Sequence, residues 1–112
     1  MSFLLFTGFN LFKGPDGTVE KANIAVQESR FDDGLKLYDE AEANIGRSNI
    51  LNYNRGVAYY KKGEYEKARE QFLAALGDGD DNFKADNYYN IGNSYFKLEK
   101  PEAAIMYYRK AL

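Results

Sequence analysis

Cysteine and histidine are both absent from this 112-residue chain. Without cysteine there are no disulfides, no thiolate nucleophile and no cysteine-bound metal, and the redox compartment stays undetermined. Without histidine the commonest general base and the commonest metal ligand are missing. No charge of one sign dominates: 15 Lys and Arg stand against 17 Asp and Glu, a net −2, so there is no broad basic field for nucleic acid. No Gly-rich phosphate loop of the nucleotide or dinucleotide type occurs. The acid pairs Asp32/Asp33, Glu40/Glu42 and Glu64/Glu66 fall on helix starts or exposed faces, where they favour the helix dipole or keep the surface wet. No nucleophile–base pair is signalled. The chain reads as non-catalytic, with no cofactor and no metal.

Aromatic bulk is what the sequence does hold. Hydrophobic residues make up 45% and aromatics 16%, with ten Tyr and eight Phe but no Trp, enough for a packed core in one domain. The stretch 52–76, NYNRGVAYYKKGEYEKAREQFLAAL, reads as two short amphipathic helices joined by Lys62-Gly63-Glu64. Gly56 and Ala68 fall where a large side chain would hold the two helices apart, and Tyr59, Tyr65 and Phe72 fill the space around that contact. Tyr95 and Tyr108 belong to the core with them.

The pattern recurs. Moving 36 residues downstream turns Gly56, Tyr59, Ala68, Phe72, Ala75 and Leu76 into Gly92, Tyr95, Ala104, Tyr108, Ala111 and Leu112. Moving 34 upstream gives Ala22, Ala25, Gly34, Tyr38, Ala41 and Glu42, with the two small positions interchanged. A period of about 34 residues with this spacing is the tetratricopeptide (TPR) signature, and the chain resembles that family over residues 16–112. The resemblance implies an all-α, right-handed solenoid of three helix-turn-helix hairpins, about six helices, at roughly 16–47, 49–82 and 85–112. It also implies a protein-interaction scaffold.

Residues 1–15 form a hydrophobic lead-in that carries Phe3, Leu4, Leu5, Phe6, Phe9, Leu11 and Phe12. It is far short of the ~20 residues of a membrane span, and it lacks the basic region and cleavage site of a signal peptide. Three readings stay open: packing on the protein's own surface or a neighbouring subunit, the stump of a hydrophobic anchor, or an addition to the natural chain. Gly14-Pro15-Asp16-Gly17 is a turn and the domain boundary. Helices are expected to about Ser29 from a cap at Asp16 or Thr18, then over 32–44, 49–62, 64–76, 83–98 and 101–112. Gly46 is a stop and Pro101 suits a first helical position. No capping helix follows. The final apolar face is therefore expected to be covered by something, or the chain to be a piece of a longer array.

The junction 77–82 invites a calcium reading, since Asp78, Asp80 and Asn82 match the first three ligand positions of an EF-hand loop. The sixth position is Phe83 where glycine is needed, and the twelfth is Tyr89 where a bidentate glutamate is needed. The junction is a solvated acidic turn.

In TPR arrays the first helix of each pair lines the concave face. Carrying that pattern over makes Asn23, Tyr53, Asn54, Val57, Tyr60, Lys61, Tyr89, Asn90, Asn93, Phe96 and Lys97 the candidate partner-binding residues. Val19, Val26, Gln27, Ile50 and Asp86 lie beside them. Asparagine can bond both the N–H and C=O of a partner backbone, tyrosine offers rigid area with a polar tip, and Lys61 and Lys97 suit an acidic group. Tyr60 and Phe96 can equally pack between neighbouring first helices, and the asparagines can bond adjacent turns. Chaperone-type TPR domains clamp a C-terminal carboxylate with further cations. Asn23 and Asn54 match that pattern, but the cationic places are Val19, Asp86 and Asn90, so a carboxylate pair has little to neutralise it.

The runs VEKAN, FDDGLKLYDEA, NYNRGVAYYKKGEYEKA and KADNYYNIGNSYFKLEKPEAAIMYYRKAL, with the lead-in FNLFKGPDG, resemble the bacterial aerotolerance (Bat-type) TPR proteins. That resemblance implies an envelope-associated, periplasmic setting and complexes with a MoxR-type ATPase and von Willebrand factor A-domain proteins. A cytoplasmic setting is the alternative. The other functional reading is self-assembly through residues 1–13 or the C-terminal helix, with membrane association only through a truncated anchor.

Overall fold

A computed structural model of the chain describes residues 11–77 and 79–112; the first ten residues and Asp78, with the readings placed on them, lie outside the described set. Six helices account for the regular structure and no strand occurs among the described residues: α1 Gly17–Gln27, α2 Phe31–Ile45, α3 Asn49–Lys62, α4 Tyr65–Ala74, α5 Asp81–Lys97 and α6 Pro101–Ala111. They pair as three hairpins, α1 on α2, α3 on α4 and α5 on α6. The hairpins stack through α2 on α3 and α4 on α5.

Local chemistry sets the helix ends. The Asp16 carboxylate accepts from the Thr18 N–H at 3.0 Å and starts α1, and Ser48 Oγ accepts from Ile50 and Leu51 to start α3. Asp80 accepts from the Phe83 N–H at 2.9 Å, which starts α5 at Asp81, two residues earlier than the expected 83. Pro101 occupies the opening turn of α6. The expected 64–76 helix is shorter: α4 runs from Tyr65 to Ala74.

The three hairpin turns are built alike. Ser29, Gly63 and Glu99 occupy one repeat position, and all three are left-handed, with φ of 64°, 91° and 62°. The N–H one residue later then reaches back five residues, Arg30 to Ala25, Glu64 to Tyr59 and Lys100 to Tyr95, at 2.8–2.9 Å. This is the Schellman closure, and only the middle turn uses the glycine that adopts it without strain.

Small residues set the spacing within each hairpin. A Cβ on Gly56 would lie 2.6 Å from the Phe72 ring, so the aromatic rests directly on the α3 backbone. In the first hairpin the interchange of small residues follows from Val26. A Cβ on Gly34 would meet Val26 Cγ2 at 2.6 Å and the Ala22 carbonyl at 3.2 Å, so glycine is required on α2 while Ala22 fits on α1.

Tyr38 and Tyr108 each donate to an asparagine of their own hairpin at 2.6 Å, Asn23 and Asn93. In the middle hairpin the equivalent pair is Phe72 with Val57, both fully buried. The aromatic at this position in each hairpin, fully buried in the first two and partly buried in the third, thus has a partner matched to its polarity. Arg55 joins α3 to α2, with Nη2 3.0 Å from Asp39 and a further bond to Glu42, while its side chain is only 10% exposed.

Candidate protein-binding groove

The first helices of the hairpins, α1, α3 and α5, supply one continuous line of polar and aromatic side chains, and the chain's own residues 11–14 lie against it. Asn54 on α3 uses both ends of its amide on a single residue. Its Oδ1 accepts from the Phe12 N–H at 3.0 Å, and its Nδ2 donates to the Phe12 carbonyl at 2.9 Å. Asn23 on α1 donates to the same carbonyl at 3.1 Å. Asn23 Oδ1 in turn accepts from Asn54 Nδ2 and from the Tyr38 hydroxyl, which fixes the orientation of both amides. Asn54 is fully buried and Asn23 nearly so.

The Phe12 ring sits edge-on to Tyr53 at 4.9 Å and to Phe83 at 5.3 Å. Tyr53 rests on Phe72 below it and on Phe83 beside it. The Tyr53 hydroxyl accepts from Asn90 Nδ2 at 3.2 Å. Burial pushes the Tyr53 pKa up to about 12, so the phenol stays neutral and the site offers no charge here. A cleft of about 490 Å³ continues beside Phe12, bounded by Ile50, Asn82 and Phe83 and by the carboxylates of Asp80 and Asp86. Burial and then the neighbouring Asp80 raise the Asp86 pKa.

Asn23, Tyr53, Asn54 and Asn90 are therefore brought together. Val57 is fully buried beneath them and presents no surface, and Asn93 is engaged by Tyr108 inside its own hairpin. The remaining candidates, Tyr60, Lys61, Tyr89, Phe96 and Lys97, lie outside this cluster. Tyr60 lies edge-on to Tyr65 at 5.0 Å, and its pKa rises to about 12 through burial, then the nearby Tyr65, Tyr108 and Tyr89. Tyr89 and Phe96 are 50% and 62% exposed. Lys97 Nζ stands 5.9 Å from the Tyr65 ring centroid, and burial lowers the pKa of Lys61.

Sequence reasoning did not single out Phe83 or Asn87 for the groove. Phe83 reads as a helix start, yet it forms one wall of the seat for Phe12. Asn87 is fully buried one turn further on, with Nδ2 on the Phe83 carbonyl and Oδ1 unpartnered. The spacing Phe83, Asn87, Asn90 along α5 is the signal that would have found them.

The tetratricopeptide repeat profiles match residues 19–83 and 85–112. This chain belongs to the tetratricopeptide repeat family. Among curated relatives, the Hsp70-Hsp90 organising protein of Plasmodium falciparum is 33% identical over 99 residues, 82% of this chain and 17% of that protein. The heat shock protein STI1 of Saccharomyces cerevisiae is 35% identical over 101 residues, 83% of this chain and 17% of the relative. The signal recognition particle receptor FtsY of Aquifex aeolicus is 33% identical over 86 residues, 77% and 16% respectively. The chain thus spans about a sixth of the length of these relatives, and the likeness is one of repeats.

Among the described residues no helix is long and apolar enough to cross a membrane, and no group of three or more acidic side chains could hold a metal ion.

Proposed function

We propose that this TPR domain is a non-catalytic scaffold whose groove on α1, α3 and α5 holds an extended segment of a partner protein. The observation that carries this reading is the engagement of both main-chain polar groups of Phe12 by Asn54, seconded by Asn23. Such a contact is indifferent to side-chain identity and satisfies a peptide backbone that leaves water. The Hsp70 and Hsp90 partners in the relatives' names do not transfer readily. The places where a chaperone-type clamp needs cations hold the buried Val19, the carboxylate of Asp86 and the amide of Asn90.

The Bat-type resemblance supports a finer reading, an envelope-associated bacterial complex with a MoxR-type ATPase and von Willebrand factor A-domain proteins. Co-purification on the full chain tests both levels. The wild type retains a partner that the Asn54→Ala, Asn90→Ala double variant loses at unchanged solution mass. Equal retention by a folded double variant contradicts the groove reading.

Self-association is the second reading, favoured by Ile105 and Met106, which are 49% and 48% exposed on α6. A solution mass that falls to one chain when both become Lys supports it; a monomeric wild type removes it.

A further inference from the structure

The buried polar contacts of the groove are made to the chain's own residue, and that residue shows what the groove selects. We propose that residues 11–13 are a built-in competitor, standing in for a partner segment with an aromatic side chain at the Asn54 clamp and a positive charge next to it. The inference rests on the groove reading above and names its ligand class.

Three observations carry it. The first is the seat of the ring. Phe12 meets Tyr53 and Phe83 edge-on, an arrangement that rewards an aromatic ring over an aliphatic side chain of equal size. The second is charge. Asp80 and Asp86 border the same cleft as Phe12, and among the described residues neither is in an ion pair. The resident segment carries Lys13 directly after Phe12. Lys13 is exposed and pairs with neither carboxylate, and Asp80 is partly offset by the α5 N-terminus that it caps. The field that favours a cation beside the aromatic over an anion therefore comes chiefly from Asp86.

The third is the contrast with the true core. Tyr38 and Phe72 are fully buried, whereas Leu11 and Phe12 are only partly so and the cleft stays open beside the ring. Phe12 occupies a surface seat from which it can leave without opening the hairpins. Its connection to α1 is the short run Lys13–Asp16, so its local concentration is of the order of millimolar and a free peptide with the same contacts is held off.

The test is fluorescence anisotropy with a labelled synthetic peptide matching residues 9–14, FNLFKG, titrated with the full-length chain and its variants. Phe12→Ala in the protein weakens the resident segment, and the expected result is roughly tenfold tighter peptide binding than wild type. Adding Asn54→Leu, which keeps the bulk and removes the amide, abolishes that gain. A peptide with Phe12→Ala binds roughly tenfold more weakly, and one with Lys13→Glu about threefold more weakly, the latter gap closing in high salt. Far-UV circular dichroism melts establish that each variant is folded.

Equal, Asn54-dependent binding to wild type and Phe12→Ala overturns the competitor and leaves the groove reading standing. Equal binding of the Phe and Ala peptides overturns the aromatic selection. No binding to any folded variant overturns the inference and the groove reading together.

Discussion

The second and third hairpins carry nearly the same letters at the same repeat positions and use them differently. Asn54 and Asn90 stand 36 residues apart in equivalent places. Asn54 has every amide bond satisfied by Phe12 and Asn23, whereas Asn90 donates to Tyr53 and leaves its Oδ1 buried and unpartnered. Tyr53 is buried under Phe12, while its equivalent Tyr89 is half exposed. Ile50 becomes Asp86, and the turn glycine Gly63 becomes Glu99, still left-handed. The residue type fixes what a side chain can do; what lies in front of it decides which of those things it does. In the second hairpin that neighbour is Phe12.

Six substitutions, two matched pairs and two singles, sharpen this contrast, from the largest effect to the smallest. Tyr53→Ala removes the floor under Phe12 and the acceptor of Asn90, and is expected to cost about 3–5 kcal/mol of folding stability. Tyr89→Ala, its exposed counterpart, should cost less than about 1 kcal/mol. Chemical denaturation of the pair measures both, and equal losses would erase the distinction between the hairpins.

Asn54→Leu strands the Phe12 N–H, leaves its carbonyl to Asn23 alone, and is expected to cost about 1–3 kcal/mol, while Asn90→Leu, which removes a half-satisfied amide, should stay within about 1 kcal/mol of wild type. The reverse order would mean that the third hairpin, not the second, holds the organised site. Glu99→Gly relieves the left-handed turn and should stabilise by about 0.5–1 kcal/mol; the middle hairpin already has that gain at Gly63.

Asp86→Asn has the least effect. Because burial raises the Asp86 pKa, its ionised form opposes folding. Wild-type stability is therefore lost as pH rises from the ordinary carboxylate value through the raised one. The variant should melt slightly higher at neutral pH and match wild type in acid, and a difference that grows in acid would reverse the assignment.

Much of this was legible in the letters, because the determinants are local. Gly56, Ala68 and the aromatic spacing gave the hairpins, and the α3 boundaries follow from Ser48 and Gly63, which cap it at both ends. The start of α5 differs from the expected 83 because Asp80, which the sequence presents as part of an acidic turn, uses its carboxylate as the cap. The sequence marks Asn54 as an amide able to bond a partner's main chain; nothing in it marks the chain's own Phe12 as what Asn54 holds. Phe12 contacts it from 42 residues away through main-chain atoms, which every residue has and no motif records. The lead-in has apolar letters without a helical or strand period, so nothing in it announces that Phe12 seats on Asn54. Val57 and Asn93 share a repeat position assigned to the groove. Asn23 holds the same position; all three face the Phe or Tyr of their own hairpin, and of the three Asn23 alone also bonds Phe12.

The most direct test of the clamp needs no partner. Hydrogen exchange of the Phe12 amide, followed by NMR in the full chain, reads the Asn54 bond itself. Protection of roughly tenfold or more over an unstructured amide, lost in Asn54→Leu while the α3 amides stay protected, is the predicted result. Exchange of Phe12 at the unprotected rate in the wild type would contradict the account, because the groove would then hold no main chain at all.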